Sequence, residues 1–432
     1  MALSAATVWE VRPTVGSDNN GGGFVTGASG TDYSQQTSPQ YALTGIASAG
    51  AGATVLYASA AANMVGNIAQ VISGTNFTPG FYQITSVSVG VSITLDRSVC
   101  TGVGASGVIN IGGALATIGA INSVYIGGNI VYVKATGNLT VSSTLTLTVS
   151  NLTFIGYTTT RGDNGQVTWT TSTNSTQLVT GNGPNYIAFY NFYFSNSAST
   201  RAQGFKANSS PCSAWMCQNC VFDGFSYGID GDFTTQNQFD RITFVSCEFK
   251  NCTTYGIANS GITNLIDCYV HNNTTAGVYM ADLQQHPQLS IIRSVIGPAN
   301  GNGVLLNTDN VLALWFENSV FYDNTNAGFT KNGSGSGDLH TIINCIFYDN
   351  GTYGIDYVNY GISDIVPFVA NNAFGANGTA ARRNYPFGTA TDITLSGNPF
   401  NNAAGGDFTT NATAGAGGAC RGAGYPTSTT LP

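Results

Sequence analysis

The chain has 432 residues, of which 42% are hydrophobic and only 8% are charged, and its formal net charge is -8. This hydrophobic fraction excludes a disordered chain, and the 13 Lys and Arg form no basic stripe, which disfavours nucleic-acid binding. Residues 1–9 have no basic start and no long apolar run. We therefore expect no signal peptide, no transmembrane segment and synthesis in a host cytoplasm.

Short motifs mark residues 1–39, an expected N-terminal cap, and the stretch from residue 113 to residue 155. In chain order they are Gly16-Ser-Asp with Asn20, Ala116-Thr-Ile, and Val131-Tyr-Val-Lys. These motifs resemble the opening coils of pectate-lyase-like right-handed β-helix proteins. The resemblance implies the fold and its hand but transfers no activity, because one fold hosts many functions. The calcium-binding aspartates and the catalytic arginine of that family have no matching local motif here.

Residues 40–112 form an insertion between these two stretches. Its apolar segments are short, alternate with polar residues and are separated by polar turns, which is typical of β-strands. They begin at Ala53, Ile68, Gly80, Ser92 and Gly107. We expect a small antiparallel β unit that either shields the open edge of the first coil or serves as a docking module.

A single pattern repeats from residue 189 to residue 374. A small residue recurs every roughly 21 to 28 residues, which is the period of a solenoid coil. These small residues are Cys220, Cys247, Cys268, Ser294, Ser319, Cys345 and Asn372. Two places later, on the same strand face, stand Phe222, Phe249, Val270, Ile296, Phe321, Phe347 and Phe374. A glycine before an apolar residue keeps the same period, at Gly228, Gly256, Gly277, Gly303, Gly328 and Gly354.

The repeat predicts an all-β fold, a right-handed parallel β-helix of roughly ten coils and about 50 Å over residues 113–388. Each unit holds two short apolar runs and no segment long enough for a crossover helix. Like residues should then stack in adjacent coils, including Asn318, Asn344 and Asn371 in the turns. Residues 389–432 should wrap the far end as a C-terminal cap, and residues 397–424 are similar to the closing segment of the same family.

The positions of the cysteines favour a packing role over a metal-binding or reactive one. Four of the nine cysteines occupy the small-residue column, so we expect reduced, buried thiols, although a disulfide between stacked coils is geometrically conceivable. Cys217 and Cys220 form a C-x-x-C pair. Their odd spacing in a strand should send the two thiols to opposite faces, and no second pair or histidine follows at zinc-like spacing. We expect no metal site.

No active-site motif is recognisable: there is no Ser-His-Asp pattern, nucleophile elbow or phosphate loop. The histidines His271, His286 and His340 are interpreted as satisfied or exposed side chains. Asp323 and Asp349 occupy the same place in adjacent coils, which would set them about 5 Å apart, as in a retaining glycosidase pair. Ordinary turn chemistry explains this pair better.

Three further groups invite a functional interpretation. A second acidic group surrounds one coil, at Asp223, Asp230, Asp232 and Asp240. The tripeptide Arg161-Gly-Asp163 matches an integrin motif, which chance explains. A dense aromatic run must send alternate members outward, as a strip for sugar or protein or as an external stack, at Tyr186, Phe189, Tyr190, Phe192, Tyr193 and Phe194.

We expect a non-enzymatic structural protein of a phage virion, with no catalytic, cofactor-binding or metal-binding residue and no cofactor. A leaderless, repetitive β-helix with few charges looks like a capsid decoration or short tail component. The expected partners are other virion proteins, such as the major capsid protein or tail and portal proteins, in a homotrimer without nucleic acid or membrane. The alternatives are a tailspike that binds or degrades host polysaccharide, and a bacterial surface adhesin.

Overall fold

The structure is a computed structural model, and it describes residues 3–208, 210–231, 239–281, 287–307, 313–332, 338–358, 365–384, 391–421 and 423–424. Two compact units divide the chain. The first comprises Met1–Val141, Leu145–Thr170 and Pro184–Phe192, and the second comprises Ser142–Thr144, Thr171–Gly183 and Tyr193–Pro432. The four-domain division given above stays a prediction. No helix in the described part of the chain is long and apolar enough to cross a membrane.

A closed antiparallel barrel in the first unit confirms the predicted β insertion. Its strands follow the spatial order Tyr41–Ser48, Thr54–Leu56, Ser92–Leu95, Gly80–Ser88, Ile68–Phe77 and Cys100–Ile111. Alternating apolar side chains such as Ile84, Ile93 and Ile109 fill its interior, and the 3₁₀ helix Ala62–Met64 contributes Met64. Closure leaves the barrel without a free strand edge.

Parallel strands begin in the same unit. Thr7–Val11 pairs with Gly23–Val25 in the antiparallel sense and with Ile130–Lys134 in the parallel sense. Ile130–Lys134 continues through Leu152–Tyr157 to Ile187–Tyr190. The remaining strands of this unit are Leu139–Thr140, Leu145–Leu147 and Val167–Thr171.

The motifs at the start of the chain have a structural role. The carboxylate of Asp18 accepts hydrogen bonds of 2.9 Å from the backbone N–H groups of Ala116 and Thr117. Thr117 in turn caps the 3₁₀ helix Ile118–Ile121, where its hydroxyl accepts a bond from the N–H of Ala120. Asp18 therefore fastens the first residues to the segment that leads into the coils.

The second unit is a parallel β-helix, and the solenoid has about eight turns instead of the ten predicted. Its first sheet contains Trp215–Gln218, Arg241–Val245, Ile262–Ile266, Gln288–Ile292, Ala313–Glu317, Asp338–Ile343 and Ile365–Ala370. The second sheet contains Phe192–Asn196, Val221–Asp223, Glu248–Lys250, Tyr269–His271, Val295–Ile296, Val320–Tyr322, Ile346–Tyr348, Ala373–Gly375 and Ile393–Thr394. The third contains Val179–Gly181, Phe205–Ala207, Tyr227–Asp230, Tyr255–Asn259, Ala276–Ala281, Asn302–Asn307, Phe329–Lys331, Tyr353–Tyr357 and Ala380–Arg383.

The predicted stacks of like side chains are present in the interior of the coils. Phe222 lies on Phe249 with ring centroids 4.8 Å apart, and Phe321 lies on Phe347 at 4.6 Å. All nine cysteines are free and all but Cys420 are buried, as expected for their position in the coils, and the reduced state stays a prediction.

One left-handed residue turns the chain between the first and second sheets of each coil. These residues have φ between 47° and 59° and are Asn219, Ser246, Asp267, Arg293, Asn318, Asn344 and Asn371. Asn219 changes the geometry of the C-x-x-C pair. Because the chain bends there, Cys217 and Cys220 both point inward and are buried, so the prediction that they face opposite sides is wrong.

A second turn position holds an asparagine ladder that the sequence analysis missed. It consists of the buried residues Asn273, Asn300, Asn324 and Asn350 and the half-buried Asn377. Each side-chain nitrogen except the last donates to the side-chain oxygen one coil further, at 2.8 to 3.1 Å. Each nitrogen also donates to a backbone carbonyl of the preceding coil, as Asn324 does to Ile296 at 3.1 Å.

The repeated glycines form a second column, the glycine column, because adjacent coils approach closely there. A Cβ at Gly303 would lie 2.3 Å from the carbonyl oxygen of Gly328, and one at Gly228 would lie 2.5 Å from that of Gly256. No side chain fits at these distances. The glycine therefore recurs once per coil because adjacent coils are in contact there.

The C-terminal segment packs on the side of the coils. The strands Phe400–Asn402 and Asp407–Thr410, joined by the 3₁₀ helix Ala403–Gly405, form an antiparallel pair, the C-terminal hairpin, and a short helix Gly417–Cys420 follows. Phe400 packs against the outward rings of Tyr322 and Tyr348 on the second sheet, with centroids 5.6 and 6.4 Å apart. The described part of residues 389–432 thus covers an outer face of the second sheet.

Candidate functional site

An acid–base cluster lies on the outer face of the second sheet, across four successive coils. Its members are Tyr193, Asp223, Glu248, Lys250, Tyr269 and His271. Strand register places them in two columns, because Asp223, Lys250 and His271 are direct partners and Glu248 pairs with Tyr269. Residues two apart in a strand share a face, so the solenoid brings these side chains together from distant parts of the sequence.

Glu248 is the central charge of the cluster. Its Oε1 accepts a hydrogen bond from Nε2 of His271 at 2.8 Å, and its Oε2 pairs with Nζ of Lys250 at 3.1 Å. The bond to His271, with a further contribution from Lys250, lowers the pKa of Glu248 below its usual value. An ionised carboxylate only accepts hydrogen bonds, so Nε2 of His271 carries the hydrogen. The lone pair of the neutral ring is then on Nδ1.

Two phenols flank this pair. The ring of Tyr269 stacks on His271 with centroids 4.1 Å apart, and Phe408 of the C-terminal hairpin packs against its other side at 5.9 Å. The hydroxyl of Tyr193 donates to Asp223, and Nζ of Lys250 lies 5.6 Å from the Tyr193 ring centroid. Burial raises the pKa of both phenols, to about 12 for Tyr193, so both stay protonated at neutral pH.

These groups can carry out general acid–base chemistry. A histidine oriented by a carboxylate can take a proton, a protonated phenol beside it can give one, and a lysine can stabilise developing negative charge. The sequence analysis treated His271 as a satisfied residue and missed the cluster. The only signal of the cluster in the sequence is the column of polar residues, Asp223, Lys250 and His271, that follows the stacked apolar side chains of the second sheet.

The predicted aspartate pair is also present on adjacent coils. Asp323 and Asp349 both adopt left-handed turn conformations directly after the paired residues Tyr322 and Tyr348. Both side chains are exposed. Desolvation, with the neighbouring charge of Asp349, raises the pKa of Asp323, as expected for two close carboxylates. The pair therefore remains a second arrangement with acid–base potential.

The other acidic group is not brought together. Asp223 is on the second sheet, Asp230 lies on the third sheet 3.9 Å from Lys206, and Asp240 precedes the first sheet. Asp232 and His286 lie outside the described residues. The remaining histidine, His340, is fully buried, with Nδ1 2.6 Å from the hydroxyl of Tyr357.

The integrin-like tripeptide is occupied by structural contacts within the first unit. Arg161 makes two hydrogen bonds, of 3.0 and 2.7 Å, to the buried carboxylate of Glu10. Asp163 accepts hydrogen bonds from the backbone N–H groups of Thr158, Thr159 and Gly165. The fold therefore accounts for both charged residues of the motif.

The aromatic run alternates as expected. Phe189, Phe192 and Phe194 are fully buried, whereas Tyr186 is exposed. Among the described residues, no group of three or more His, Cys, Asp or Glu side chains is arranged to hold a metal ion.

No family model and no curated protein sequence matches the chain. Solved structures with a similar fold include the pectate lyase Pel9A, at 16% identity and TM-score 0.47, covering 65% of this chain and 78% of the lyase. The Azotobacter vinelandii mannuronan C-5 epimerase AlgE4 A-module has 13% identity and TM-score 0.46, with 62% of this chain and 78% of the module covered. A Geobacillus virus E2 protein, ORF18, has 14% identity and TM-score 0.41, with 65% and 57% covered.

These structures correct one expectation. The prediction that the chain is not an enzyme is corrected, because solved structures with a parallel β-helix fold include a lyase and an epimerase, so this fold gives no ground for excluding an enzyme. The absence of a recognisable motif therefore does not exclude catalysis on this fold. The virion location, the homotrimer and the virion partners stay predictions. By its own strand pairing, the chain is a parallel β-helix protein.

Proposed function

We propose that the chain cleaves a polysaccharide by general acid–base chemistry at the acid–base cluster. The observation that carries the proposal is the hydrogen bond between Glu248 and His271 on the outer face of the second sheet, with Lys250 and Tyr269 in contact with the same two residues. The long, outward-facing sheet of a β-helix offers an extended polymer several consecutive contacts.

Each residue has a proposed part in the reaction. Nδ1 of His271 takes a proton, either from water or from a ring carbon of the sugar. Tyr269, which burial keeps protonated, gives a proton to the oxygen that leaves as the glycosidic bond breaks. Lys250 stabilises the negative charge that develops between these two events.

A panel of host-surface and plant polysaccharides tests the proposal. We expect release of new reducing ends, with ultraviolet absorbance of unsaturated products if the proton comes from the sugar ring. Glu248→Gln and His271→Gln should each lower kcat by about 100-fold or more, with the folded state retained at the assay temperature.

Variants of the Asp323 and Asp349 pair test whether the acid–base cluster or the aspartate pair is the active site. A double Asp323→Asn/Asp349→Asn variant should keep full activity if the cluster is the active site. Loss of activity in that variant, with normal activity in His271→Gln, would instead place hydrolysis at the aspartate pair, which the raised pKa of Asp323 favours as the second candidate. Absence of product from every glycan contradicts both assignments.

A further inference from the structure

The outer face of the first sheet carries exposed aromatic rings in a row of polar side chains. Strand register aligns the row Thr243, Asn264, Ser290, Trp315, Thr341 and Phe368. Trp315 is 46% exposed and Phe368 is 47% exposed. The chain's other tryptophans, Trp9, Trp169 and Trp215, are at most 1% exposed. Burial is thus the rule for this residue type here, and Trp315 is the exception.

The indole ring of Trp315 is held in place from one side. Its Nε1 donates a hydrogen bond of 2.9 Å to Oε2 of Glu317, and Oε1 of Glu317 accepts one of 3.2 Å from Asn318. A ring fixed in this way loses little conformational entropy when a ligand covers it. Because this hydrogen bond uses the N–H edge of the indole, it leaves the face of the ring available for stacking.

A shallow depression of about 190 Å³ lies beside the ring. Its lining includes the polar side chains of Asn264, Gln288, Ser290 and Thr341, and Leu339, which is 51% exposed, adds an apolar wall. Among the described side chains that point outward from this sheet, Arg241 and Glu317 carry charge. An aromatic platform with amide and hydroxyl groups around it matches sugars, which present apolar ring faces and hydroxyl edges.

The spacing of the row selects an extended polymer. Trp315 and Phe368 are two coils apart, hence about 10 Å along the sheet. An extended β-1,4-linked glycan repeats every two sugar units over a similar length. Alternate sugars can therefore stack on the two rings while the sugar between them lies over Thr341, which is 6% exposed.

We propose that this face, the tryptophan platform (Trp315, Phe368, Asn264, Ser290, Thr341), binds extended β-linked glycan chains. The proposal goes beyond the cleavage reaction, because it concerns a different sheet and needs no chemistry at the acid–base cluster. The platform would hold the polymer on the protein during and between cleavage events.

The fluorescence of Trp315 shows whether a ligand covers its ring. Acrylamide should quench the fluorescence of one of the four tryptophans in the free protein, and a β-1,4-linked glucan, xylan or mannan hexasaccharide should protect it. Trp315→Ala should raise the dissociation constant at least 10-fold by calorimetry, and Trp315→Phe should restore part of the affinity. Phe368→Ala should weaken binding as well. Tyr186→Ala removes an aromatic ring that is 65% exposed in the first unit, and it should leave affinity unchanged.

Several outcomes overturn the proposal: no protection by any hexasaccharide, unchanged affinity in Trp315→Ala, or an equal loss in Tyr186→Ala. Quenching that falls as the free protein is concentrated would instead assign the face to self-association.

The cleavage proposal and the platform proposal can fail independently of each other. Binding that Trp315→Ala abolishes, without cleavage of any glycan, supports the platform and removes the reaction, whereas cleavage with unchanged Trp315→Ala affinity does the reverse.

Discussion

Nδ2 of Asn300 donates a 3.1 Å hydrogen bond to Oδ1 of Asn324 one coil further, and both side chains are at most 1% exposed. The bond belongs to the asparagine ladder, in which each amide satisfies groups in two coils. Such a buried polar row is stable only when every member is present, because a buried donor or acceptor without a partner loses its hydration and gains nothing.

Asn324→Leu should therefore be strongly destabilising. It deprives the Asn300 amide of its acceptor and the carbonyl of Ile296 of a donor, and each unpaired buried group costs about 1–3 kcal/mol. Urea unfolding measures the loss. The matched control is Asn318→Gly at the exposed left-handed turn, which glycine adopts easily and which should cost no more than about 1 kcal/mol. Equal losses in the two variants would show that the ladder bonds add nothing.

Gly303→Ala tests the glycine column. The new Cβ would meet the carbonyl oxygen of Gly328 at 2.3 Å, so the two coils must separate, at a cost of about 1–3 kcal/mol. Thermal unfolding is the measurement. A Cβ at Gly50 meets nothing within 4 Å, so Gly50→Ala is the control and should be near neutral. An undiminished melting temperature in Gly303→Ala would contradict the close contact.

Thiol reactivity should separate Cys420 from the other cysteines. The other eight are buried, and burial raises the pKa of Cys212 to about 11 and those of Cys252 and Cys345 to about 12, so almost no thiolate forms. The native protein should release about one equivalent of thionitrobenzoate from Ellman's reagent, and Cys420→Ser should release none. All nine thiols of the original chain should react in urea. Fast reaction of Cys420→Ser without denaturant would disprove the burial.

The same thiols should make the fold sensitive to alkali. Their folded pKa values lie above the unfolded value of about 8.5, so their contribution to stability is complete below that pH and declines as pH rises. The free energy of unfolding should fall between pH 8 and pH 9.5, by up to about 1.4 kcal/mol per pH unit for each of Cys212, Cys252 and Cys345. A Cys252→Ala/Cys345→Ala variant should show a shallower fall, and an unchanged slope would assign the effect elsewhere.

Glu248 should have the opposite effect in acid. Its pKa is lowered in the folded state by His271 and Lys250, so its contribution is present above the unfolded pKa of about 4.3 and is lost as pH falls further. Glu248→Gln should lose less stability than the original chain between pH 5 and pH 3. His271→Gln should give a similar flattening, and the double variant should add little to either. Fully additive effects would mean that the two side chains do not interact.

The sequence predicts the β-helix because identical residues must recur wherever coils stack, and Phe222, Phe249 and the repeated glycines do so visibly. Other features were hidden. In the sequence, Asn300 and Asn324 look like ordinary turn asparagines. The backbone conformation decides whether their side chains point toward the axis of the β-helix. The C-x-x-C prediction failed for the same reason, because one left-handed residue, Asn219, turns both thiols inward.

The acid–base cluster was hidden by distance along the chain. Glu248 and His271 are separated by 23 residues, and Tyr193 and Asp223 by 30. Coil lengths vary, so these pairs have no fixed spacing that a motif could capture. Register along the second sheet brings them into contact, and register follows from the stacked apolar side chains inside.

The C-terminal hairpin sets an order of events during synthesis. Each coil bonds to the coil before it, so the helix can lengthen by one turn as each stretch of chain leaves the ribosome. The rings of Tyr322 and Tyr348 stay in contact with water until Phe400 has been made, since that residue covers them in the finished protein. During this interval the nascent chain exposes an apolar aromatic stripe, and the C-terminal hairpin covers it once Phe400 has been translated.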